Sequence, residues 1–264
     1  MSVIRANIYS QSLMRTVDIS VILPVDKTGQ TLEEFKTLYL LHGIMGSDLD
    51  WLINSNIKLL AEKHNLAVVM PSGENACYVD DIEGERRYSQ FIGEELLELT
   101  RKMFPLSQNR EDTYIAGLSM GAYGALINGL KYRQKFSEIG SFSLALIPDM
   151  IIENGEGISS KLFFEKIFSC SQKEAEETYL NPRHAIEANR ENLPNFYIAC
   201  GREDFLFTHS QDFSDYLTNK KIKHHYYTCQ GQHDWEFWNH IIKRYISYLP
   251  LDAETNFKHS GNVR

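Results

Sequence analysis

The order of apolar runs along the chain predicts an α/β fold with a mainly parallel, eight-stranded sheet flanked by helices. Three observations carry this expectation. Short apolar runs are continuous rather than alternating, as in strands covered on both faces. Helix-period stretches separate them, which is the rhythm of a parallel sheet with crossover helices. One junction, "YIAGLSMGAYGALI" (114–127), sets glycines two residues either side of a serine where strand character gives way to helix.

Taken in order, "VDISVIL" (17–23) alternates at period two, as an edge or antiparallel strand does. After a turn-like "PVDKTGQTLEEF" come "TLYLLH" (37–42), "LAVVMP" (66–71), "TYIAG" (113–117), "SFSLALIP" (141–148), "NFYIAC" (195–200) and "HYYTC" (225–229). Between them, "SNIKLLAEKHN" reads as a helix capped by Ser55. "YSQFIGEELLELTRKMF" reads as one with Ile92, Leu96, Leu99 and Met103 on a single face. "AYGALINGLKY", "SQDFSDYLTNKK" and "EFWNHIIKRYISYL" follow later strands. The stretch 149–194 breaks the rhythm with two short helices, "SSKLFFEKIF" and "QKEAEETYL", and is expected to lie over the carboxyl ends of the strands. Its Leu162, Phe163, Phe164, Ile167 and Phe168 either pack this insertion down or line an acyl pocket or a subunit contact. The pattern thus divides into one domain over 1–250, with that cap-like insertion, and a patternless tail over 251–264.

Composition narrows the function. A length of 264 residues, 43% hydrophobic and 23% charged, suits one large globular domain. A net charge of −8 without a clustered basic face argues against a nucleic-acid partner. No run reaches the length of a membrane span and the N-terminus lacks an export-type apolar stretch, so a cytoplasmic location without membrane association is expected. The four cysteines, Cys77, Cys170, Cys200 and Cys229, include no CxxC pair and read as free thiols.

Gly117-Leu118-Ser119-Met120-Gly121 is G-x-S-x-G at a strand-to-helix turn, the setting the motif requires. At such an elbow the serine is strained and exposed above the sheet, and side chains two residues away would strike the neighbouring strand and helix. A serine hydroxyl needs a base, and the base an orienting acid, here expected in the order Ser, acid, His. Asp204 lies just past "NFYIAC", and His233 lies in the loop after "HYYTC", both at the sheet edge that carries Ser119. Asp149 is the rival acid, but it opens the long insertion, and Glu203 is a neighbour easily mistaken for Asp204. His209 starts a helix, His224 and His225 fall in a strand, and His42 is assigned to supporting the turn at Gly43. The oxyanion donors are expected to be the amides of Met120, after the nucleophile, and of Ile44, in "LLHGIMGSDLDW".

"YLLHGIMGSDLDW", "YIAGLSMGAYGA", "CGREDF" and "GQHDWEFW" together resemble the esterase D-like serine esterases of the α/β-hydrolase fold. The likeness is greatest to bacterial tributyrin esterases and to cinnamoyl/feruloyl or acetyl esterases, with S-formylglutathione hydrolases more distant. It runs from about Ser2 to Leu249. It implies Ser119, Asp204 and His233 as catalytic triad, Ile44 and Met120 as oxyanion donors, and self-association as a common habit. The sequence departs from the family at Ala122, where a second glycine is usual. Trp51, Tyr78 and Trp235 are candidate substrate contacts, each with a competing role in packing, and Tyr88 begins a helix in the same segment as Tyr78. The expected activity is hydrolysis of short-chain acyl esters through an acyl-enzyme on Ser119, with a small-molecule ester as partner and no metal or organic cofactor. A thioesterase of the S-formylglutathione hydrolase kind, an acyltransferase and a non-catalytic binding protein on the same fold are the alternatives.

Overall fold

The computed structural model describes residues 1–25, 34–81, 84–151, 155–156 and 159–251. The centre of the turn-like stretch after the first hairpin and the tail from residue 252 lie outside the described residues.

The chain begins with a hairpin, β1 (Ser2–Ser10) and β2 (Arg15–Leu23), paired in antiparallel register from Ser2↔Leu23 to Ser10↔Arg15. Next come β3 (Thr37–Leu41), α1 (Asp50–Asn54), α2 (Ile57–Lys63) and β4 (Ala67–Pro71). A two-residue ribbon, β5 (Asp80–Asp81) with β6 (Arg86–Arg87), precedes a helical stretch. That stretch is α3 (Tyr88–Gln90), a π-helical turn (Phe91–Glu95) and α4 (Leu96–Met103). β7 (Thr113–Leu118), α5 (Met120–Lys131) and β8 (Glu138–Phe142) follow, then α6 (Lys161–Phe168), α7 (Gln172–Glu176) and α8 (Pro182–Ala188). β9 (Asn195–Gly201), α9 (Phe207–Asn219), β10 (His224–Cys229) and α10 (Trp235–Tyr248) complete the described elements.

Eight strands form one sheet in the order β1-β2-β4-β3-β7-β8-β9-β10. Only β1/β2 and β2/β4 pair antiparallel; the other pairs in that sheet are parallel. The continuous apolar runs have the physical reason expected of them. Leu38 and Leu40 of β3 face α2 and α10, whereas Tyr39 and Leu41 face the layer of α4, α5 and α9. All four are fully buried, and burying such a side chain is worth about 2 kcal/mol.

Four expectations need correction. The strand expected over 141–148 occupies Glu138–Phe142 instead. Ser143 takes a left-handed φ of 53° and ends it; Leu144, Ala145 and Leu146 are buried as loop rather than strand, and buried Ile147 opens a 3-10 turn (Ile147–Met150). Continuous apolarity reports burial and has no period that distinguishes the two. In the 88–104 segment the π-helical turn widens the helix, so the buried face runs through Ile92, Leu96, Leu97 and Thr100, and Met103 is 47% exposed. The described residues of the insertion hold three α-helices, not two. α8 carries its own signal, Asn181 accepting the Arg183 amide as cap with Pro182 in the first turn. The cap of α2 is displaced by one residue: Asn56 directly precedes the helix, while the Ser55 hydroxyl donates to Trp51 O and accepts the Ile57 amide at 3.2 Å.

The insertion's described residues pack on α5 and on the β5–β6 ribbon. Tyr123 donates to Leu180 O at 2.7 Å, Ser169 donates to Asp81, and Phe164 stacks on Phe168 with ring centroids 4.2 Å apart. Phe164 and Phe168 are therefore core, while Leu162 is 77% exposed.

Candidate active site

Ser119 follows the last residue of β7 and caps α5, at φ 54° and ψ −116°. That conformation lifts its side chain out of the sheet, and the Ser119 amide is held by Phe142 O of β8 at 2.9 Å. The two glycines are explained by backbone contact. A Cβ on Gly117 would sit 2.4 Å from Gly121 O, and one on Gly121 would sit 2.5 Å from His42 O and 2.7 Å from Leu41 O. Those neighbours are main chain and cannot swing away. Gly121→Ala should therefore cost about 2–3 kcal/mol despite the roughly 1 kcal/mol of helix propensity it gains, read as a lower urea midpoint at unchanged slope. An unchanged midpoint would contradict this account of the elbow.

Asp204 and His233 arrive on loops leaving β9 and β10. His233 Nε2 lies 3.0 Å from Ser119 Oγ, and His233 Nδ1 lies 2.9 Å from Asp204 Oδ2 and 3.0 Å from Oδ1. Nδ1–H therefore donates to the carboxylate, leaving the Nε2 lone pair for the serine hydroxyl. Burial alone would raise the Asp204 pKa. Hydrogen bonds from His233, the Leu206 amide and the Ser143 hydroxyl outweigh it and hold the carboxyl below the ordinary aspartate value. Ser143 in turn accepts Trp238 Nε1–H at 3.0 Å. Sequence reading missed this extension, Trp238–Ser143–Asp204–His233–Ser119. The left-handed Ser143 sits at a strand end, but no local pattern in the residues around it signals the link.

The amides of Ile44 and Met120 have no hydrogen-bond acceptor among the described residues. Met120 is the first residue of α5, where the N–H groups are unpaired by construction and carry the positive end of the helix dipole. The loop bearing Ile44 is fixed by its neighbours. Met45 N–H donates to Asn75 Oδ1 at 2.7 Å, Gly46 N–H to Gly43 O at 3.2 Å, and Tyr78 OH to His42 O at 3.0 Å. His42 itself accepts the Gly73 amide at Nε2 and donates to Gly43 O from Nδ1. Burial pushes its pKa down against the pull of Gly43 O, so the ring works as a neutral brace.

The other candidates separate clearly. Asp149 pairs with Arg183 at 2.9 Å, and Glu203 turns away from His233 to the Gly231 amide. His224 bonds Ser214, and His225 stacks on Tyr197. Tyr78 and Trp51 are 0% and 1% exposed, and Trp51 Nε1–H donates to Leu41 O, so both serve as support beneath the loop. Trp235 is half-buried and edge-on to Trp51 and Trp238. Ala122 is fully buried within the core of the α5 side, where its methyl group is accommodated. Two exposed apolar side chains, one against His233 and one beside Ile44, escaped notice. Phe205 is 70% exposed with its ring centroid 4.6 Å from that of His233, and Met45, beside Ile44, is 87% exposed. An apolar residue next to each strand-end loop motif is the signal that marks them.

A parallel sheet with a left-handed serine between β7 and α5, and with acid and histidine on the two later strand-end loops, defines an α/β-hydrolase. The chain belongs to the Esterase family, whose model matches residues 10–246. It is a carboxylic ester hydrolase. An acetyl esterase of Caldicellulosiruptor saccharolyticus is 38% identical, the match taking in 94% of this chain and 98% of that one. Among solved structures, the Staphylococcus aureus fluorophosphonate-binding serine hydrolase FphF, substrate bound, is similar at a TM-score of 0.83 and 29% identity. The match covers 94% of this chain and 98% of that one. The apoenzyme of S-formylglutathione hydrolase FrmB from the same organism is similar at a TM-score of 0.82 and 28% identity, with the same coverage.

Proposed function

We propose that this esterase hydrolyses short-chain acyl esters through an acyl-enzyme on Ser119. The observation that carries the reading is the unbroken line Ser119 Oγ, His233 Nε2, His233 Nδ1, Asp204 at 3.0 and 2.9 Å. His233 takes the hydroxyl proton as Oγ bonds the carbonyl carbon. The resulting oxyanion accepts the Ile44 and Met120 amides, and collapse breaks the ester C–O bond while His233 returns the proton to the leaving alcohol. Water, deprotonated by His233, then releases the acid and restores the serine. Asp204 holds the ring in its working tautomer and stabilises the imidazolium. Exposed Phe205 and Met45 form the apolar rim that receives the substrate, with Trp235 as a further contact.

A short acyl group is supported by the acetyl esterase relative. The four cysteines, none in a disulfide, fit a cytoplasmic location, and no helix among the described residues is long and apolar enough to cross a membrane. A second reading, thioester hydrolysis, draws on the likeness to FrmB.

The test is turnover of p-nitrophenyl acetate, butyrate, octanoate and palmitate alongside S-formylglutathione. Values of kcat/KM peaking at acetate or butyrate and exceeding the thioester value support the ester reading. A thioester preference of about a hundred-fold, near 2.7 kcal/mol in transition-state binding, would replace it with the second.

A further inference from the structure

Glu203 resembles a catalytic acid in sequence, yet its carboxylate does something else. Glu203 Oε2 accepts the Gly231 amide at 2.7 Å, and the Glu203 amide donates to Gly231 O at 3.1 Å. One residue earlier, Arg202 N–H donates to Cys229 O at 2.9 Å. These bonds carry the β9–β10 pairing beyond its last register pair, Cys229↔Gly201, into the two loops that hold Asp204 and His233. The loops are also in main-chain contact, since a Cβ on Gly201 would lie 2.2 Å from Gly231 O. Of the three bonds only one depends on a side chain. It fastens the residue two positions before His233 to the residue one position before Asp204.

We propose that Glu203 is a positioning residue, clamping the 229–233 loop to the 201–204 loop so that His233 stays in bonding distance of both Ser119 and Asp204. The inference rests on the catalytic reading above. Geometry of this kind matters because displacement of a base by a fraction of an ångström weakens proton transfer far more than it weakens substrate binding. A charged acceptor on a main-chain N–H is also the stronger form of that bond. Glu203 is exposed and packs no core, so its removal leaves no cavity and the effect on chemistry can be read apart from folding.

The experiment compares wild type, Glu203→Ala, Glu203→Gln and Ser119→Ala on p-nitrophenyl butyrate, with active sites titrated by a fluorophosphonate and Tm recorded. Glu203→Ala should lose about ten-fold in kcat per titrated site with KM changed less than about two-fold. Glu203→Gln, whose amide oxygen can accept the same bond, should recover most of that loss. Unchanged kcat in Glu203→Ala would overturn the proposal, as would an equal loss in both Glu203 variants or a loss confined to KM. If the wild type has no more turnover than Ser119→Ala, the catalytic reading fails and takes this one with it. Turnover that depends on Ser119 but is indifferent to Glu203 sinks the clamp alone.

Discussion

Replacing Ser119 by alanine should lower kcat/KM on p-nitrophenyl butyrate by at least about 10⁴-fold while leaving the fold intact. The substitution removes the atom that bonds His233 at 3.0 Å and with it the acyl-enzyme. Backbone strain at the elbow remains, because alanine carries the same Cβ at φ 54°. Stability should therefore change little, whereas Ser119→Gly, which relaxes a left-handed residue worth about 1–2 kcal/mol, should raise the urea midpoint. The pair separates strain from chemistry: both variants lose turnover, and only the glycine gains stability. Retention of more than about a hundredth of wild-type turnover by purified Ser119→Ala would mean that the nucleophile lies elsewhere.

The second large effect is expected at Asp204. Asparagine keeps the shape but loses the charge and can offer an N–H to His233 Nδ1, which favours the tautomer whose Nε2 carries the proton. Loss of about 10⁴-fold in kcat is the expected consequence. Asp149→Asn should stay within about two-fold of wild type, because its partner Arg183 and its place on the surface have no route to His233. Reversed results for the two variants would reassign the acid.

Asp204 also links folding to pH. Its folded pKa lies below the ordinary value, so its contribution to stability is complete above about pH 5 and fades as pH falls past 4 through the folded value. The stability difference between wild type and Asp204→Asn should accordingly shrink in acid. A difference that grew as pH fell would show that burial, not hydrogen bonding, dominates this carboxyl.

The residues differ in how far they could be read before folding. Ser119 announces itself because its requirement is local: glycines at two-residue spacing are demanded by the main chain of the same turn and of the adjoining strand. Strand order and placement at strand ends bring Asp204 and His233 into view, since both follow from counting elements. Position after a strand favours Asp204 over Asp149, which opens the insertion, but no linear pattern contains the partner each carboxylate finds. The same holds for Glu203, one residue away in sequence and bonded to a different loop.

The amino-acid order by itself determined the alternation of strand and helix, the serine elbow and the sheet edge where the chemistry gathers. These depend on apolar periodicity and on glycines whose constraints span only a few residues. Tertiary structure alone decided where β8 ends, which face α4 buries after its π-helical turn, and how Trp238 and Ser143 reach Asp204. It also made Tyr78 and Trp51 a buried support rather than a pocket wall. The reason is physical: burial and hydrogen-bond partnership belong to pairs of groups brought together across the chain, and neither member of such a pair carries a mark of the other.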